Sequence, residues 1–237
     1  MKRSEINTYI KEAEEFFASF QFYLPAFSKW TLEDWKKNRE KCDEILSCAM
    51  GWDVTDFGSG DFLKMGLLLF TIRNGVLHSE KYTKPYAEKI MLVKPGQVTP
   101  MHYHYRKQED IINRGGGRLV FQLAPAENNK PVQGKVHVVK DGLSLTVDSR
   151  ETVILEPGES LTLVPGAFHT FHADPSSGSV MVGEVSSVND DNLDNCFAEK
   201  RERFQKWEED TPPERLTVSD YTDFFNSLSN KKKKGNK

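Results

Sequence analysis

Cysteine is scarce in this 237-residue chain: Cys42, Cys48 and Cys196 are all there are, and no two form a C-x-x-C pair. An odd, sparse set at these spacings suggests neither a disulfide framework nor a thiolate zinc site. Long apolar runs are also missing. The longest, residues 66–72, falls far short of the ~20 residues of a membrane-spanning helix. The N-terminal stretch carries acidic residues where a signal peptide needs an uninterrupted apolar core. The expectation is a cytoplasmic protein with no membrane partner. Excess charge of one sign is absent as well. A net charge of −3 gives no general electrostatic case for binding nucleic acid. The lysine run at 231–234 is the exception, and residues 231–237 read as a disordered, solvated basic tail.

What is present is an ordinary globular composition, 38% hydrophobic and 28% charged, too apolar for a disordered chain. Residues 1–60 read as a helical addition. Ile6, Tyr9, Ile10, Ala13, Phe16, Phe17 and Phe20 recur at helical spacing. Pro25 interrupts, and Thr31 with Asp34 three residues on signals a second helix that Gly51 ends. From about residue 62 the texture changes to short strand-like runs separated by turn signals every eight to twelve residues, the pattern of a sandwich or barrel. Asn74-Gly75 and Asp141-Gly142 read as hairpin turns. Expected strands are 67–72, 88–94, 117–123, 136–140, 143–147, 152–155, 161–164 and 180–185. The barrel is expected over 61–190, and a C-terminal segment over 191–230 with a short helix near 219–228.

The chemistry concentrates in one stretch, Gly96 to Gly116. His102 and His104 are two apart, so on a strand both imidazoles point to one face. Glu109 could return on the neighbouring strand of a hairpin. His169 follows Pro165-Gly166 some sixty-five residues later. Three imidazoles and a carboxylate suit a divalent first-row metal with positions left open for a ligand. Two core histidines and a surface glutamate would be the bland account, but the strand spacing, the acid, the glycine-rich turn and the later Pro-Gly-x-x-His argue against it.

These residues resemble the cupin superfamily. Its first motif matches Gly96, His102, His104, Glu109 and Gly116 in spacing. Its second resembles Gly158 through His169, with Val164 where the motif has proline, Pro165 following, and Ala173 in place of the closing asparagine. Two longer strings, Glu-Asp-Ile-Ile-Asn-Arg-Gly-Gly-Gly from Glu109 and Gly-Glu-Val-Ser-Ser-Val-Asn-Asp-Asp from Gly183, resemble the D-lyxose ketol-isomerase family of cupins. The resemblance covers about residues 86–209. It implies an all-β fold, a single cupin (jelly-roll) barrel with N-terminal helices and a short C-terminal helix. It further implies a Mn2+-dependent homodimer that converts D-lyxose to D-xylulose and D-mannose to D-fructose, with a small free sugar as substrate.

Isomerisation moves one proton between C1 and C2 and another between their oxygens, so a base and an acid are needed beside the metal. Lys107, two residues before Glu109, faces the same way if the segment is extended, and a dication nearby would lower its pKa. It is one catalytic candidate. Glu202, in a C-terminal segment similar to the family's, is the candidate carbon base, with a solvated acid in a charged helix as the rival account. Glu184 is in phase with Val180 and Val182 and should be inward and paired. Lys89 is chosen over Glu88 as its cationic partner. Asp190 is a third candidate for contacting sugar hydroxyls. The alternatives are another metal cupin enzyme, a phosphosugar isomerase or a dioxygenase, and a non-catalytic sugar-binding cupin. Arg106 and Arg114 make no phosphate motif.

Overall fold

The computed structural model describes residues 1–149, 151–191, 193–201, 203 and 206–234. It opens with helix α1 (Arg3–Ser19), a 3₁₀ turn (Ala26–Lys29), α2 (Leu32–Lys37) and α3 (Asp43–Ser47). Fourteen strands follow among the described residues: β1 (Gly51–Thr55), β2 (Leu67–Arg73), β3 (Tyr86–Val93), β4 (His102–His104), β5 (Glu109–Gly116), β6 (Leu119–Glu127), β7 (Lys130–Pro131), β8 (Lys135–Lys140), β9 (Leu143–Asp148), β10 (Thr152–Leu155), β11 (Ser160–Leu163), β12 (Ala167–Ala173), β13 (Val180–Ser187) and β14 (Asn195–Phe197). Helix α4 (Tyr221–Lys234) closes the described chain.

The strands form two curled antiparallel sheets. One has eight strands in the order β1-β2-β3-β13-β5-β11-β8-β9, and the other is ordered β10-β6-β12-β4-β14 with β7 paired to β6. The expected all-β cupin-like fold is what the chain adopts. Its barrel core lies between the sheets, where Met91, Ile111, Phe121, Leu161, Phe171 and Val182 pack together.

Strands β2 and β3 are buried on both faces, which is why they read as near-continuous apolar runs rather than alternating ones. Leu69 and Met91 face the barrel core, while Phe70, Ile90 and Leu92 face outward and receive α1. The α1 stripe docks there through Ile6, Ile10, Ala13 and Phe17, with Phe17 stacked on Trp52. Burying an α1 side chain of this size contributes about 1.5–3 kcal/mol.

Several sequence expectations are corrected. Thr31 does cap a helix, accepting from the Asp34 amide 3.2 Å away, but the helix ends at Lys37 and a separate α3 follows. Gly51 does not end a helix; it begins β1, at φ +123. A Cβ there would lie 2.3 Å from the Tyr221 hydroxyl, so the site needs glycine for close approach. Asn74-Gly75 is no hairpin turn. A connection from 74 to 85 joins β2 to β3, Asn74 is buried, and Gly75 is required because a Cβ would meet the Lys84 carbonyl at 1.9 Å. Asp141-Gly142 does make the expected turn, with positive φ at both residues. β1, β5 and β12 lie outside the expected strand ranges, and β14, at three residues, is too short to show a period. Helix α4 runs through Lys234, so the first four residues of the basic tail continue it.

Candidate metal centre and active site

His102 and His169 lie directly opposite one another on neighbouring strands, β4 and β12, and His104 is two residues further along β4 on the same face. Strand geometry alone therefore gathers three imidazoles. Their ring nitrogens lie within 4.8 Å of one another. His102 Nδ1 is 2.8 Å from the Pro100 carbonyl and His169 Nδ1 is 3.0 Å from the Ala167 carbonyl. A carbonyl can only accept, so both Nδ1 atoms carry the proton and both Nε2 atoms present a lone pair. Burial, reinforced by His169 and His104, pushes His102 well below the ordinary histidine value. Burial, with Lys107 nearby, lowers His104 as well. The His102 and His104 rings are therefore held in the neutral form.

Glu109 does not reach this group by a hairpin from β4. It begins β5, in the eight-stranded sheet, and crosses from the opposite wall of the barrel. Its Oε1 lies 3.2 Å from His169 Nε2 and 3.4 Å from His104 Nε2, yet it is buried and accepts no hydrogen bond. The unprotonated His169 nitrogen and an unbonded carboxylate oxygen repel one another unless a cation lies between them. The donor set of three imidazoles and one carboxylate suits a divalent first-row metal. The residues present therefore fit such an ion.

Beside this group stands a buried ionic network. Lys107 Nζ is 2.6 Å from Glu109 Oε2 and 2.8 Å from Glu184 Oε1. Lys89 Nζ is 3.2 Å from the same Glu184 oxygen and donates to Asn189 Oδ1 at 2.6 Å. Lys89, rather than Glu88, faces the cavity, because it alternates with Met91 and Val93 while Glu88 pairs outward with Arg73. Burial disfavours the Lys107 charge, but Glu109 and Glu184 outweigh it and hold Lys107 above the ordinary lysine value. Burial also opposes the charges on Glu109 and Glu184, and their cationic neighbours keep both carboxylates below the usual range. The Asp194 carboxylate accepts from the Arg106 and Lys107 amides, each at 2.9 Å, and so fixes the backbone from which Lys107 projects.

The cavity above these groups is closed by Phe57, Thr99, Asn195, Phe197, Asp191 and Arg203. Arg203 is bound to Asp53 at 2.6 Å and to Asp191 at 3.2 Å. Asp190 is not part of this lining. It faces the adjoining cavity, which Asp191 also lines, and Asp191 alone of the two reaches the inner one, because the strand alternation is not kept in the irregular segment after β13. Glu202 lies outside the described residues. No sequence pattern points to Arg203 or Asp53, which are distant in the chain and meet only in the fold. His172 is half-buried on β12, facing away from His169.

A family model described as D-lyxose isomerase matches residues 1–221. A D-lyxose/D-mannose isomerase of Serratia proteamaculans is 43% identical over 227 residues, covering 95% of this chain and 100% of that protein. One of Escherichia coli O157:H7 is 42% identical, covering 94% and 100%. Among solved structures, an L-ribose isomerase of Acinetobacter sp. DL28 in complex with L-ribose superimposes with a TM-score of 0.53 at 18% identity, covering 84% of this chain and 93% of that one. An L-ribose isomerase of Cellulomonas parahominis gives 0.54 at 15% identity, covering 88% and 97%. At such identities these two structures speak for the fold.

Proposed function

Because the chain belongs to the D-lyxose isomerase family and is an aldose–ketose sugar isomerase, we propose that it interconverts D-lyxose with D-xylulose and D-mannose with D-fructose as free sugars. The observation that carries the reading is the bare, buried Glu109 oxygen facing the imidazole nitrogens, with the Lys107–Glu184 pair opening on the same cavity. His102, His104, His169 and Glu109 would hold a divalent ion, and Mn2+ is the ion we assign. Bound there, it supplies Lewis acidity that polarises a sugar carbonyl.

The remaining work falls to side chains. Glu184 is ionised, buried and at the cavity, which equips it to take the proton from C2 and return it to C1. Lys107, charged and beside Glu184, is placed to pass a proton between the two sugar oxygens. Lys89 and Asp191 would hold hydroxyls. Among the described residues, each cation lining the cavity already has a carboxylate partner: Lys89 has Glu184, Lys107 has Glu109 and Glu184, and Arg203 has Asp53 and Asp191. That arrangement favours a neutral polyol over a sugar phosphate, which needs unspent positive charge. Three free, buried cysteines are compatible with the cytoplasmic compartment proposed here. The homodimer rests on the family resemblance.

The test is to load the protein with Mn2+, incubate it anaerobically with D-lyxose, D-mannose and their phosphates, and assay for ketose. Ketose from the free sugars alone supports the proposal; turnover of phosphates only would replace it. Glu184→Gln and Glu202→Gln, assayed side by side, decide the carbon base, since only the variant that removes it should lose turnover. Light scattering decides the assembly.

A further inference from the structure

Asn74 lies outside the metal group, yet its side chain is almost fully buried and every hydrogen bond found for it goes to backbone. Its Nδ2 donates to the Cys48 carbonyl at 3.1 Å and to the Asn189 carbonyl at 3.0 Å. Its Oδ1 accepts from the Asn189 amide at 3.0 Å. The carboxamide thus imitates a peptide group, pairing with both backbone faces of one residue as a neighbouring strand would. The residue so held is Asn189. Its own Oδ1 accepts from Lys89 Nζ at 2.6 Å and from Lys107 Nζ at 3.4 Å. Two residues on, Asp191 lines the cavity and binds Arg203.

β13 has already ended at Ser187, so no ladder holds this segment. The backbone N–H and C=O of Asn189 both depend on Asn74. A buried amide of this kind is costly to leave half-paired, about 1–3 kcal/mol, so it fixes one arrangement of the loop rather than several. We infer that Asn74 is a positioning residue for the isomerase: through Asn189 it sets where the two cavity lysines, and with them Glu184, stand. The inference rests on the proposed activity at this site. It also explains the Asn-Gly dipeptide, which serves a clamp rather than a turn.

The test is a double-variant cycle on the Mn2+-loaded protein, with Asn74→Ala, Asn189→Ala and the pair, together with hydrogen exchange at the Asn189 amide. A misplacement of about an ångström costs roughly tenfold to a hundredfold in turnover. Asn74→Ala should lose kcat in that range with KM little changed. The pair should lose no more than Asn189→Ala alone, because the first residue acts through the second. Exchange at the Asn189 amide should speed up while amides in β5 and β13 stay protected. Losses that multiply across the pair, or unchanged exchange at Asn189, overturn the inference. Should Asn74→Ala not fold, Asn74→Ser takes its place; failure of both makes the residue merely structural and also overturns it. A wild-type protein that isomerises neither sugar strikes at the proposed activity instead, and the exchange result still judges the clamp.

Discussion

Lys107 is held by two carboxylates in a region nearly closed to water, and it shows how much a single side chain carries here. Lys107→Met keeps the stem and removes the charge. It strands Glu109 Oε2 and leaves Glu184 with Lys89 alone. Loss of the proton-transferring role proposed for it should cost about 10²–10⁴-fold in kcat. Breaking a buried pair from one side should also destabilise the metal-free protein by about 3–5 kcal/mol, read by denaturant titration. Retention of both turnover and stability would remove Lys107 from the mechanism and from the network. At this scale the sequence was readable where residue chemistry and a strict period coincide, as at His102 and His104. It was not readable where phase is set by a turn. Asp190 and Asp191 are adjacent and chemically identical, and only the path after β13 decides which faces the sugar cavity. Asn74-Gly75 carries a hairpin signal that the fold does not follow, because propensity describes an isolated dipeptide and the tertiary contacts of the buried amide override it.

Length did not decide which elements were legible. Helix α1 shows its period and β2, β3 and β13 read as apolar runs, whereas β12, seven residues with two histidines and a threonine among them, makes no such run, and β4 and β14 are three residues each and exist because neighbouring strands pair with them. The packing of α4 against the start of β1 was invisible, since it joins residues 171 apart in sequence. There the Tyr221 hydroxyl donates to the Met50 carbonyl at 2.8 Å, in the space that Gly51 leaves open. Burial, with Asp220, Cys42 and Asp53 adding negative potential, raises the Tyr221 pKa above its ordinary value. A raised folded-state pKa means that the neutral form is favoured in the fold. The stabilisation is complete below the unfolded tyrosine value of about 10 and is lost progressively as pH climbs above it. Tyr221→Phe should be less stable near neutral pH by about 1–3 kcal/mol, because the Met50 carbonyl loses its donor. It should also fall off less steeply above pH ~10 than the parent does. Parallel alkaline limbs in melts from pH 8 to 11 would show that Tyr221 does not carry that part of the pH dependence.

At the scale of the molecule, the metal group joins the two sheets. His102, His104 and His169 stand on the smaller sheet and Glu109 on the larger, so an ion shared among them is a cross-brace through the barrel. The four candidate ligands were legible in the sequence but their division between the sheets was not, because strand order depends on pairings between distant segments, such as β5 with β11 and β13. The brace has a thermodynamic consequence. The unfolded chain cannot keep the four proposed ligands together, so an ion held by them would bind the folded state selectively. At an ion concentration a hundred times the dissociation constant, the fold gains about 2.7 kcal/mol. For a chain of this length that is roughly 5–10 °C in Tm. Chelation should therefore lower the melting temperature by that amount, and Mn2+ should restore it. His169→Ala should be insensitive to both treatments. Glu109→Gln should show a reduced shift even if it still binds the ion through its imidazoles, since the ligand from the second sheet is weakened. A melting temperature indifferent to chelator in the parent protein, with metal content verified before and after, would mean that no ion bridges the sheets.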